Sequence, residues 1–183
     1  INKRHWEMLE RGEITREELK VQRFARLFEA LGVEEDARAT ADEYVRQLGI
    51  GHYFLPGAEE AVMALSRKYR LFLASNGIAS VQKGRLTSAN LYRFFEKVFI
   101  SEEVGANKPA KQFFFFFFVQ IPGFDPKKAM IVGDSLTSDI LGGKNAGIAT
   151  CWVNLKHRTA RQDVQPDCEI EALHQLPALL EKI

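Results

Sequence analysis

The run Gly133-Asp134-Ser135-Leu136-Thr137-Ser138-Asp139 sets two carboxylates five residues apart, directly after the apolar stretch Met130-Ile131-Val132. If that stretch is a strand and a helix follows, Asp134 stands at the strand tip and Asp139 on the first helical turn. Carboxylates so placed can converge on one hard cation such as Mg²⁺. They can also complement a helix N-terminus, although this spacing is poor for capping alone. Two other apolar runs end in polar residues of the same kind. Leu71-Phe72-Leu73-Ala74 leads into Ser75-Asn76-Gly77, where a hydroxyl, an amide and a flexible glycine can hold a phosphate oxygen or form an ordinary capped turn. Val98-Phe99-Ile100 leads through Ser101-Glu102-Glu103 to Asn107-Lys108-Pro109, with Pro109 suited to the first turn of a helix. Lys108 can neutralise an anion there or be a solvated loop charge.

What makes the three positions bear on one another is the frame that carries them. With Thr150-Cys151-Trp152-Val153, these runs are short and continuously apolar, and helical segments separate them near 58–68, 79–93, 110–120 and 137–146. That alternation predicts a parallel sheet covered on both faces. Ligands bind such sheets at the carboxyl ends of the strands, where Ser75, Lys108 and Asp134 all fall. Residues 1–55 have another character: they hold 20 of the 49 Asp, Glu, Lys and Arg residues and none of the six prolines. Thr15-Arg16-Glu17-Glu18 reads as a capping box. Phe24, Leu27, Phe28 and Leu31 follow at helical spacing before Gly32, and a second helix shows Ala37, Ala41, Tyr44, Val45 and Leu48 before Gly49. The expected organisation is a small helical module at 1–55 and an α/β core at 56–183.

Composition narrows the classes of function. The chain has 183 residues and a net charge of +1, without the basic surplus of a nucleic-acid binder. Its two cysteines, Cys151 and Cys168, show no metal spacing, which predicts a reduced, cytoplasmic setting. No apolar run approaches the ~18 residues of a membrane span. There is no G-x-G-x-x-G, and Gly142-Gly143 does not supply one, so a dinucleotide-binding oxidoreductase has little support. His5, His52, His157 and His174 show no ligand spacing. Trp6, Tyr44 and Tyr53 can stack on a nucleobase, but packing is the commoner use of such residues. Phe113 to Phe118 form six consecutive phenylalanines, which on a helix cover every face and must leave some rings in solvent.

Taken together, Ser75-Asn76, Lys108-Pro109 and the G-D-x-x-x-x-D run at Gly133–Asp139 resemble, in order and spacing, the second, third and fourth motifs of the haloacid-dehalogenase-like (HAD) phosphatase superfamily. The resemblance covers nearly the whole chain. Residues 100–105, 133–140 and 145–152 are further similar to its pyrimidine 5′-nucleotidase branch. The resemblance implies a Rossmann-like core and a helical cap at 1–55 closing over the site. It implies Mg²⁺ as cofactor, a small phosphorylated metabolite such as a nucleoside 5′-monophosphate as substrate, and a monomer or homodimer. It assigns Asp134 to Mg²⁺, Asp139 to the metal directly or through water, Lys108 to the nucleophile and phosphate charges, and Ser75 with the Asn76 amide to phosphate oxygens. In the family an aspartate of a D-x-D-x-T motif becomes phosphorylated and water then cleaves the aspartyl-phosphate.

No D-x-D occurs in these residues. The family's nucleophile is absent, together with the central strand that carries it between the strands ending at Ser75 and Asp134. The resemblance therefore implies a segment preceding Ile1, and a protein of these residues alone is expected to be inactive. The alternatives are a sugar-phosphate or phosphoglycolate phosphatase, a haloacid dehalogenase, which needs no metal, and a non-catalytic HAD-like binding protein. A receiver-type signalling domain fits poorly, since it carries no helical module.

Overall fold

The computed structural model describes residues 1–160 and 162–182. They form two compact units, one of residues 1–52 with 80–89, the other of residues 53–79 with 90–183.

The first unit contains α1 (Asn2–Glu10), α2 (Arg16–Leu31) and α3 (Ala37–Leu48). The capping box is formed as expected: Thr15 Oγ1 accepts from the Glu18 N–H and the Glu18 carboxylate accepts from the Thr15 N–H. Gly32 ends α2 in the left-handed conformation and Gly49 caps α3. The periodic residues of α2 are less buried than their spacing suggests. Leu19 is fully buried and Arg23 nearly so, while Leu27 and Leu31 are exposed.

The second unit is built on two parallel sheets. β1 (Phe72–Ser75) pairs with β2 (Lys97–Ile100), Ser75 opposite Ile100; β3 (Met130–Gly133) pairs with β4 (Ala149–Val153), and β4 with β5 (Cys168–Ile170). The strands predicted from the apolar runs are all present, each within a residue or two. β5 is an addition that no apolar run announces. No ladder joins β1 to β3 among the described residues. Instead α7 (Lys111–Val119) lies across both: Phe113 and Phe114 are buried against Phe72 and Ala74 of β1, Phe99 of β2 and Ile131 of β3. On the opposite face, Cys151 and Val153 pack with Leu65 of α4 (Ala58–Ser66) and Leu176 of α9 (Leu176–Leu180). The sheets thus have helices on both faces, a Rossmann-type α/β arrangement.

The phenylalanine run behaves as its composition requires. Phe117 meets Phe99 at 4.2 Å between ring centroids and Phe118 stacks on Phe124 at 4.1 Å. Phe115 is 69% exposed. Gly142 and Gly143, without value as a dinucleotide fingerprint, open α8 (Leu141–Ala146) to close packing. A Cβ on Gly142 would lie 2.7 Å from the Phe114 ring, and one on Gly143 would lie 2.5 Å from Ile131 and 2.6 Å from Thr150.

Candidate active site

Ser75, Asn76, Lys108, Asp134 and Asp139 all belong to the second unit and follow the strand ends as expected. At the end of β1, Ser75 Oγ accepts the Gly77 N–H at 3.0 Å, which turns the chain toward α5 (Ala79–Ser88). Asn76 directs both ends of its side-chain amide to one residue. Its Nδ2 donates to the Lys108 carbonyl at 2.9 Å, and its Oδ1 accepts the Lys108 N–H at 2.8 Å. Lys108 is joined by a cis bond to Pro109, and α7 begins at Lys111, so Pro109 stands just ahead of the helix rather than in its first turn.

The Lys108 side chain is buried. Its Nζ donates to the Ala74 carbonyl at 2.7 Å and to Asp139 Oδ1 at 2.6 Å. The side chains of this ion pair are 8% and 9% exposed, so neither charge is left to solvent. Asp139 Oδ2 accepts the Ser135 N–H at 3.1 Å. Both oxygens of Asp139 are therefore engaged. Room for that carboxylate comes from Gly133: a Cβ there would lie 2.3 Å from both Cγ and Oδ2 of Asp139. The glycine of the G-D run is thus explained by a neighbour six residues on.

Asp134 differs. It is exposed, and its carboxylate makes no hydrogen bond or ion pair among the described residues. Its backbone is firmly held, since the carbonyl accepts from Trp152 Nε1 at 3.1 Å and Arg158 Nη2 at 2.8 Å. Between Asp134 and α8 the chain makes one π turn, Leu136–Ile140, in place of the plain helix predicted there. Ser135 opens it, its Oγ accepting the Ser138 N–H at 3.2 Å. Such turns are rare and gather at functional sites.

Asp134, an exposed carboxylate at a strand tip, could serve as a ligand for a hard cation. Among the described residues, no group of three or more His, Cys, Asp or Glu converges on one point. Mg²⁺ does not require such a group, since it is held by one or two carboxylates and completes its shell with water and phosphate oxygens.

Sequence reasoning placed Ser75, Asn76, Lys108, Asp134 and Asp139 at one sheet edge but missed how they are connected. The clasp of Asn76 on Lys108, and the grip of Trp152 and Arg158 on Asp134, depend on main-chain atoms and leave no spacing signal. The 2.3 Å approach at Gly133 had one: a glycine at a strand end followed by an acid on the next turn.

A family model for haloacid dehalogenase-like hydrolases matches residues 9–153. The chain is 39% identical over 183 residues to pyrimidine 5′-nucleotidase PynA of Streptococcus pneumoniae, covering 100% of this chain and 77% of that protein. It is 35% identical over 180 residues to pyrimidine 5′-nucleotidase YjjG of Escherichia coli, covering 98% and 79%. The crystal structure of the HAD-hydrolase YfnB of Bacillus subtilis, bound to magnesium, superposes with a TM-score of 0.92 at 36% identity, over 98% of this chain and 78% of that one. Motif order, strand-end geometry and these likenesses agree: the chain belongs to the haloacid dehalogenase-like hydrolase family.

Proposed function

We propose that these residues form the phosphate- and metal-binding part of a Mg²⁺-dependent nucleoside 5′-monophosphate phosphatase that works through an aspartyl-phosphate. The observation that carries the reading is which carboxylates at the strand ends are already partnered. Lys108 and Asp139 neutralise each other in a buried pair, while Asp134 is exposed and its carboxylate has no ion-pair partner among the described residues. Asp134 is therefore the strand-end carboxylate left to hold a cation. A divalent cation on Asp134 would add positive charge where a phosphate dianion has to settle. A haloacid dehalogenase has no need of that arrangement.

Each residue then has a task at the phosphate. Two of the three Lys108 donors go to Ala74 and Asp139, which leaves the third for a phosphate oxygen. The Ser75 hydroxyl and the Asn76 main-chain N–H take phosphate oxygens, since the Asn76 side chain is already turned to Lys108. Asp139, with both oxygens engaged, acts on the metal only through water and chiefly positions the lysine. When bound, Mg²⁺ draws charge from the phosphoryl oxygens. The acceptor carboxylate is not among these residues, and the helical unit is the cap. The nucleotidase specificity rests on PynA and YjjG.

The test is binding and turnover together. With Mg²⁺, inorganic phosphate should raise the melting temperature of the 183-residue protein, and UMP should bind without hydrolysis. Asp134→Asn should abolish the Mg²⁺ dependence and Lys108→Met the phosphate response. Phosphate binding that ignores Mg²⁺ and Asp134→Asn would overturn the reading.

A further inference from the structure

Arginine presents its Nε–H and one Nη2–H along a single edge, a fork that matches two adjacent acceptor oxygens. This chain uses that edge repeatedly. Arg46 grips Glu43 through Nε and Nη2 at 2.7 Å each, and Arg70 grips Glu96 at 2.9 and 2.8 Å. Arg11 holds Glu13 in the same manner. All three are surface pairs, where such bonds contribute little.

Arg23 in the first unit is the exception. It is only 7% exposed, and its Nε and Nη2 have no hydrogen-bond partner among the described residues. Its Nη1 donates to Asn2 Oδ1 at 3.2 Å, so the opposite side of the guanidinium is anchored. The plane is held as well, with the Tyr44 ring 4.8 Å and the Phe24 ring 5.1 Å from the guanidinium carbon. These rings meet edge to face at 5.3 Å. No carboxylate among the described residues is paired with this cation, and burial holds its pKa below the usual arginine value. A folded chain does not ordinarily leave a buried, oriented, two-donor edge without acceptors.

We propose that the Nε–Nη2 edge of Arg23 is a binding site for a planar group with two adjacent acceptors, foremost a carboxylate. Anchor, stacking rings and fork are already in place, and the missing component is the pair of acceptors. Tyr44 is 40% exposed, so the stacked rings beside the guanidinium border solvent. The same acceptor geometry occurs in the O2 and N3 atoms of a cytosine ring. The site stands on residues of the helical unit and does not depend on the phosphatase reading.

The test uses the 183-residue protein and nitrogen-15 NMR of its arginine Nε–H signals, with the Arg23 signal identified by its loss in Arg23→Lys. Benzoate, cytidine and inorganic phosphate are titrated separately. Benzoate should shift the Arg23 signal downfield with a Kd on the order of 1 mM. Arg23→Lys, which keeps the charge but loses the fork, should weaken benzoate binding about tenfold or more. Arg23→Met, which removes an uncompensated buried charge, should raise the melting temperature of the free protein while abolishing the benzoate-induced rise. A shift with cytidine instead of benzoate supports the planar two-acceptor site and assigns its ligand to a nucleobase. A shift with phosphate alone, or with none of the three, overturns the proposal. So does an Arg23→Met protein that binds benzoate as well as the parent.

Discussion

Replacing Lys108 by methionine tests the central geometry of the second unit. The substitution keeps the length and apolar stem of the side chain and removes only the ammonium. Asp139, 9% exposed, then loses the donor 2.6 Å from Oδ1, and the Ala74 carbonyl loses the one at 2.7 Å. Breaking a buried pair from one side leaves an unpaired charge and costs about 3–5 kcal/mol. With a urea slope of about 2 kcal/mol per M, the unfolding midpoint should fall by roughly 1.5–2.5 M. Removing both charges in Lys108→Met/Asp139→Leu should recover most of this. It leaves chiefly the loss of the Ser135 N–H bond, about 1 kcal/mol. The assay is urea unfolding followed by fluorescence in a Trp6→Phe background, where the buried Trp152, bonded to the Asp134 carbonyl, is the remaining reporter. A single substitution costing under about 1 kcal/mol would refute the claim of a buried, mutually dependent pair. So would a double variant as unstable as the sum of both singles.

Three further outcomes follow from the same structure. Gly133→Ala introduces a Cβ 2.3 Å from the Asp139 carboxylate and should cost about 1–3 kcal/mol, with the phosphate-induced thermal shift reduced as Lys108 loses its anchor; an unchanged melting curve would contradict that close approach. Burial, with the neighbouring Cys168 thiol, pushes the Cys151 thiol up to about 12. Iodoacetamide at pH 8 should therefore modify Cys151 far more slowly than an unperturbed thiol, as read by peptide mass mapping. Because the folded state favours the neutral Cys151 thiol, its stabilising effect is complete below about pH 9 and is lost as pH rises toward 12. Asp167 is held below the usual carboxylate range by Lys144 and then by the hydroxyl and N–H of Thr150, where it accepts at 2.8 and 2.9 Å. Its contribution is present above the ordinary aspartate pKa and lost on acidification through the lowered value, so Asp167→Asn should flatten the acid limb of a stability–pH profile.

The strands, and the placement of the candidate residues at their ends, were legible in the sequence because a parallel sheet covered on both faces demands continuous apolar runs, and polar residues take over where those runs stop. The Thr15–Glu18 capping box was legible for a similar reason: its chemistry is local. β5 was not, since Cys168-Glu169-Ile170 is too short and mixed to show a period; it is held in place by Asp167 reaching across to Thr150. The burial of Arg23 was not legible either. An arginine among apolar helical positions reads as solvent-facing, and only the placement of Phe24, Tyr44 and Asn2 shows otherwise. The pairing of Lys108 with Asp139 joins residues 31 apart through side-chain atoms, beyond any periodic pattern.

If Lys108 binds phosphate as proposed, the clasp of Asn76 on it has a consequence for the thermodynamics of anion capture. The lysine is tied at its main chain by two bonds from one amide and at its tip by Ala74 and Asp139. A free lysine side chain gives up up to about 2 kcal/mol of rotamer entropy when it is fixed in one place. Here that ordering is completed during folding, before any oxyanion arrives. An anion binding there would meet an ammonium whose position does not have to be gathered from many rotamers, so the entropy lost would be chiefly the anion's own.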